Sequence, residues 1–150
     1  MHASPCPRIT APCSPGGPAV SPTRVLLVED SAVQRRLLSR FLLACGAEVV
    51  TAENGHQAIG LAESAPPSLI LMDIDLPGLD GLDACRALKR NPRTRHVPVV
   101  MLSGCEEKAC RLRALMRGAA DYLVKPVSRS QLCELLHAIN PDGSINKVTG

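Results

Sequence analysis

Four short apolar runs in this chain each end on a polar side chain. Val25-Leu26-Leu27-Val28 ends at Glu29-Asp30, Leu69-Ile70-Leu71-Met72 at Asp73, Val99-Val100-Met101-Leu102 at Ser103, and Tyr122-Leu123-Val124 at Lys125. Apolar runs of this kind read as buried strands of a parallel sheet. In open α/β sheets, sites form just outside the carboxyl ends of the strands. Three acids, a hydroxyl and an ammonium, distant in sequence, are therefore expected to share one place. That set suits a metal ion and a phosphoryl group.

Helical segments alternate with the runs. Ser31-Ala32-Val33-Gln34 is a capping-box pattern, and the helix it opens has Leu37, Leu38, Phe41 and Leu42 on its apolar face and Gly46 as its stop. A short second strand is expected over 47–51 and a helix over 55–64, stopped by Pro66-Pro67. A third helix is expected over 82–90, before Pro92, and a fourth to about Arg117, with Glu106 and Glu107 in its first turn and Gly118 as its stop. Ser128-Arg129-Ser130-Gln131 is a second capping box, opening a helix with Leu132, Leu135, Leu136 and Ile139 on one face. Five βα units in order predict a parallel sheet covered by helices on both faces. The strand order does not follow from the pattern. Residues 1–22, rich in Pro and Ser, are expected to be disordered, 23–140 to form the domain, and 141–150 to be a short tail.

Composition narrows the function classes. The 150 residues fit one domain with modest tails, and 45% hydrophobic with 21% charged residues is ordinary for a globular protein. One Tyr, one Phe and no Trp make the core aliphatic and leave no stacking platform for single-stranded nucleic acid. The net charge of +3 is weak, and Arg35, Arg36, Arg40, Arg86, Lys89 and Arg90 scatter over helices as solvated faces. No segment is left for a helix-turn-helix, so no direct contact with nucleic acid is expected. No apolar stretch approaches a membrane span, and the proline-broken N-terminus lacks a signal peptide's apolar segment. The seven cysteines are odd in number, widely spaced and without CxxC. They are expected to be unpaired in a reducing cytoplasm, with Cys45, Cys85, Cys110 and Cys133 serving as small apolar helix residues.

The strand-end residues carry the chemistry. Glu29, Asp30 and Asp73 repel one another at close range unless a cation sits among them, and Mg²⁺ takes such hard oxygen ligands beside a phosphate. Asp73 is a candidate nucleophile, because a carboxylate can form an aspartyl-phosphate. Ser103 and Lys125 offer a hydroxyl and a point charge to phosphoryl oxygens. Each has a plainer reading alone: solvated or capping acids, a capping Ser, a snorkelling Lys. Their complementarity favours the joint reading, because phosphoryl transfer asks a protein mainly for positioning and electrostatics. Pro126 after Lys125 restricts the backbone there and suits a cis bond.

Val25 to Ser31, Asp73 with Leu76-Pro77 and Asp80-Gly81, Ser103-Gly104 and Lys125-Pro126 together resemble the receiver domain of bacterial two-component response regulators. The resemblance spans about residues 23–140. It implies a flavodoxin-like doubly wound sheet of order 2-1-3-4-5 with five helices. It implies that Asp73 accepts a phosphoryl group from a phosphohistidine of a histidine kinase or phosphotransfer protein. Glu29, Asp30, Asp73 and the backbone carbonyl of Asp75 would hold Mg²⁺, and Ser103 and Lys125 would bind the phosphoryl oxygens. Tyr122 matches the family's switch aromatic, which turns inward when the hydroxyl residue moves toward the phosphate. The face over 106–139, with Arg111, Arg113 and Arg117, is the family's usual surface for an effector protein or a second copy. Such a chain is a cytoplasmic phosphoacceptor rather than an enzyme acting on other molecules. Ser103 stands where Thr is commoner and Gly104 where Ala is, while Asp75 and Cys105 occupy positions that tune phosphorylation lifetime. Two other readings compete. A pseudo-receiver would ignore phosphate. A haloacid-dehalogenase-like phosphatase would use Asp73-Ile74-Asp75 as its DxD, but Pro77 stands where Thr or Val belongs and no acidic pair follows Lys125.

Overall fold

The computed structural model describes residues 23–139 and residue 145; the expected tails at 1–22 and 141–150 lie outside these, apart from Ile145. Ten elements follow in strict alternation: β1 (Arg24–Val28), α1 (Ala32–Ala44), β2 (Glu48–Ala52), α2 (Gly55–Ser64), β3 (Leu69–Asp73), α3 (Gly81–Arg90), β4 (Val99–Ser103), α4 (Lys108–Met116), β5 (Asp121–Val124) and α5 (Arg129–Ala138). The strands form one parallel sheet of order β2-β1-β3-β4-β5. The chain therefore steps from β1 outward to β2, then crosses back past β1 to β3. The crevice opened by that reversal lies between the carboxyl ends of β1 and β3, which pair from Val25 with Leu69 to Val28 with Met72.

Burial explains the apolar runs. Every residue of β3 and β4 is buried, because helices cover both faces. Alternate side chains feed two cores. Val25, Leu27, Leu69, Leu71, Val100 and Leu102 pack against Leu38 and Leu42 of α1 and Leu132, Leu135 and Leu136 of α5. Leu26, Val28, Ile70, Met72, Val99 and Met101 pack against α2, α3 and α4 through Ala58, Ala62, Leu82, Cys85, Leu88 and Ala114.

Local signals place the helix ends. Ser31, Asn54, Asp80 and Ser128 each accept a hydrogen bond from the backbone amide three residues on. At Ser128 the capping box is complete. At Ser31 only one arm forms, because the Ser31 amide donates to Glu29 Oε2 at 3.3 Å instead of to Gln34. Gly46 and Gly118, at φ +92° and +99°, stop α1 and α4 in the left-handed conformation expected of them.

Several expectations need correction. Leu37 is 43% exposed rather than part of the core; the buried stripe of α1 is narrow and uses Leu38 and Leu42. Glu106 and Glu107 precede α4 instead of forming its first turn: Glu107 is the cap residue and makes no side-chain cap bond. β2 lies one residue later than expected and α3 starts one residue earlier. The cysteines differ most. Cys45 is bonded to Cys133, with Cα atoms 5.4 Å apart, and Cys105 to Cys110 at 6.4 Å. The first pair forms because the end of α1 lies beside α5 on one sheet face, a proximity hidden across 88 residues of sequence. The second joins the β4–α4 loop to the first turn of α4. Cys85 is the one cysteine among the described residues that is unpaired. It is buried, as expected, and burial pushes its thiol pKa up to about 11.

Candidate functional site

The strand ends converge as the sequence reading expects. Glu29 follows β1 with 1% of its surface exposed, Asp73 ends β3 at 4%, and Ser103 ends β4 at 5%. Asp30 is exposed at the rim. Carboxylate oxygens of Glu29, Asp30 and Asp73 all lie within 4.8 Å of one another. Lys125, just past β5, reaches across the sheet: its Nζ donates to Glu29 Oε1 and to Asp73 Oδ2, each at 3.0 Å. The Lys125–Pro126 peptide bond is cis, a form that the sequence reading allowed for.

Burial lifts the Glu29 carboxyl above the usual carboxylate range, and Asp73 adds to the rise while Lys125 opposes it. Burial would lower the Lys125 ammonium, but its bonds to Glu29 and Asp73 outweigh that, and the net shift is upward. One ammonium thus faces two buried carboxylates with a third acid beside them. The donors are hard oxygens and the charge is under-compensated, so the cluster fits a hard divalent cation.

The backbone around the acids is fixed from several sides. Asp75 N–H donates to Asp73 Oδ1 at 3.1 Å. Arg35, one turn into α1, donates to the carbonyls of Glu29 at 2.8 Å and Asp30 at 3.4 Å. The sequence pattern alone places Arg35 on a solvated face; its position about one helical turn past Glu29-Asp30 is what brings it to the site. Gly81 was read only as part of a motif. A β-carbon there would fall on the Asp73 carbonyl oxygen and within 2.8 Å of Ile74 Cα. Glycine lets the start of α3 close against the end of β3 and so seats Asp73.

The other side of the site is held by one loop residue. Cys105 N–H donates to Ser103 Oγ at 3.1 Å, and Cys105 C=O accepts from Tyr122 Oη at 2.6 Å. Tyr122 is 3% exposed, so its ring lies inward.

A parallel α/β sheet whose switch-point crevice gathers three acids, a hydroxyl and a lysine offers groups whose chemistry suits a hard cation and a phosphoryl group. The profile of the response regulator receiver domain family matches residues 25–137, and the chain belongs to that family. Receiver domains of this family act in two-component phosphorelays. It is 41% identical over 104 residues to the response regulator PleD of Caulobacter vibrioides, covering 69% of this chain but 23% of PleD. It is 34% identical over 116 residues to PilH of Pseudomonas aeruginosa, covering 77% of this chain and 96% of PilH. The chain thus spans about a quarter of one curated relative and nearly all of another. Two solved structures extend the likeness. One is the receiver domain of a Pseudomonas aeruginosa sensor histidine kinase with magnesium coordinated in its active-site cleft: TM-score 0.74, 34% identity, covering 79% of this chain and 98% of that one. The other is the receiver domain of a Saccharomyces cerevisiae response regulator, bound to its histidine phosphotransfer protein: TM-score 0.73, 26% identity, covering 79% and 88%. The observed strand order is the one the family resemblance implied.

Proposed function

We propose that Asp73 is the phosphoacceptor of this receiver domain, taking its phosphoryl group from a phosphohistidine on a histidine kinase or phosphotransfer protein. The observation that carries this reading is the Lys125 bridge to Asp73 Oδ2, with Ser103 at the neighbouring strand end. An Asp73 carboxylate oxygen attacks phosphorus, the P–N bond breaks, and the imidazole nitrogen leaves with the electron pair. Lys125 and the Ser103 hydroxyl then hold phosphoryl oxygens, and Tyr122 follows Ser103 through Cys105. Glu29, Asp30, Asp73 and the backbone carbonyl of Asp75 would hold Mg²⁺, which would supply positive charge to offset that of the transferred group.

The test is incubation with Mg²⁺ and acetyl phosphate followed by intact mass measurement. A single phosphoryl adduct is expected, absent in Asp73→Asn. No adduct, or one that persists in Asp73→Asn, would favour a pseudo-receiver or another acceptor; catalytic turnover of a generic phosphate ester would favour a phosphatase.

Proton competition gives a second expected result. Glu29 holds its proton above the unfolded value of 4.5. In that window the native state binds more protons than the unfolded one, so metal-free stability falls as pH rises through it. A cation needs the deprotonated carboxylate, so Mg²⁺ affinity should rise with pH over the same window, with proton release. Calorimetry in two buffers of different ionisation enthalpy measures both; affinity that is flat with pH would contradict the assignment of Glu29.

For output, the face over 106–139 is the proposed contact for an effector protein or a second copy. Leu112, Leu115 and Met116 of α4 are exposed there. Among the described residues no helix is long and apolar enough to cross a membrane; the proposed place of action is the cytoplasm.

A further inference from the structure

We propose that Cys105 and Cys110 form a reversible thiol–disulfide modification site that sets the resting position of Tyr122. The inference rests on the phosphoacceptor reading only for what the switch responds to.

Both backbone groups of Cys105 are committed to switch residues, its N–H to Ser103 Oγ and its C=O to Tyr122 Oη. Its side chain is bonded to Cys110, in the first turn of α4. The disulfide therefore ties the residue that holds Ser103 and Tyr122 to a helix. Between the two cysteines lies a loop with no side-chain cap at Glu107, and the position before Cys105 is Gly104, the most permissive residue available. Without the disulfide, the restraints on Cys105 are its two bonds to the switch residues themselves, which move with them. With it, the carbonyl that receives Tyr122 Oη stays in place whether or not phosphate is present. Both cysteines are half-buried and line a cavity of about 250 Å³ with Asp75, Ser103 and Arg113, so small thiol reagents can reach them.

The chemistry is thiol–disulfide exchange with a low-molecular-weight disulfide of the oxidised-glutathione class. One cysteine thiolate attacks a sulfur of the reagent and expels one thiolate. The second cysteine thiolate attacks the protein sulfur of the mixed disulfide and expels the other. The cysteines lose two electrons and two protons, and the reagent leaves as two thiols. A dithiol reductant reverses both steps.

The test uses the full chain with oxidised or reduced glutathione, the thiol state read by alkylation and peptide mass mapping. Tyr122 is the single tyrosine and tryptophan is absent, so intrinsic fluorescence reports this ring alone. In reduced protein, acetyl phosphate with Mg²⁺ should shift Tyr122 emission. In oxidised protein the emission before phosphorylation should already match the phosphorylated reduced form. The further change on phosphorylation should then drop at least about threefold, as expected when one state is already populated. Cys110→Ser should keep the phosphorylation response when reduced; with oxidised glutathione it can form only a mixed disulfide at Cys105, with no second thiol to close the loop onto α4, so it should not reach the emission of the oxidised parent. It retains Cys45 and Cys133, so effects of that pair are separated. Equal emission in oxidised and reduced protein, failure of the Cys105–Cys110 bond to form, or a Cys110→Ser protein that reaches the oxidised parent's emission with oxidised glutathione would each overturn the proposal. A failure of the reduced protein to gain a phosphoryl adduct would instead overturn the phosphoacceptor reading, while the comparison of unphosphorylated states still decides the redox site.

Discussion

Lys125→Gln is expected to destabilise the metal-free protein by about 2–4 kcal/mol and to slow phosphorylation by acetyl phosphate roughly a hundredfold. Removing one partner of a buried ion pair leaves an uncompensated charge, and here it leaves two, on Glu29 and Asp73. The Lys125 side chain is 25% exposed, which holds the loss below that of a fully buried triad. Two controls separate this account from a generic packing loss. Mg²⁺ should restore more stability to the variant than to the parent, because it supplies the missing positive charge. Lowering the pH should shrink the difference, because Glu29 then takes up a proton. Urea denaturation with and without Mg²⁺ at two pH values measures all of this. An equal Mg²⁺ effect on both proteins would mean that Lys125 does not compensate the acids.

Gly81→Ala is expected to cost about 1–3 kcal/mol and to impair phosphorylation, although the change adds a single methyl group. The added β-carbon meets backbone atoms of Asp73 and Ile74 and the Met101 methyl at 2.9 Å. The backbone there cannot swing aside, because Gly81 N–H is bonded to Ile74 O at 2.9 Å. Relief must come from moving the end of β3, which carries Asp73. Gly104→Ala is the matched control. Nothing lies within 4 Å of its β-carbon position, so it should leave stability nearly unchanged. Denaturation midpoints of the two variants, with their phosphorylation rates, test the contrast; equal effects would refute it.

The contrast between these two glycines also marks what was legible in the sequence. Strand ends were readable because a fully covered parallel strand must be apolar until it meets the crevice, so Glu29, Asp73, Ser103 and Lys125 announced themselves by ending apolar runs. Strand order was not readable from that pattern, since the alternation is the same for any order; it came from resemblance. The start of α4 was misplaced because acids suit a first helical turn and the residue before it equally well. Leu37 was misplaced because periodicity marks an apolar face without saying how wide a stripe its neighbours cover. The cysteine pairs and the seat of Asp73 on Gly81 were hidden for a shared reason. Each depends on an ångström-scale approach between segments, which residue type and spacing do not encode.

The Lys125 bridge spans 52 residues of chain to Asp73 and 96 to Glu29. The site therefore closes only when β1 and β5, the first and last strands of the chain, stand in register on either side of β3 and β4. Long-range pairings of this kind come late in folding. On the proposed reading, uptake of phosphate would thus certify completed assembly: a chain still lacking its last strand, whether nascent or cleaved, has Asp73 but no Lys125 beside it, and is expected not to accept a phosphoryl group.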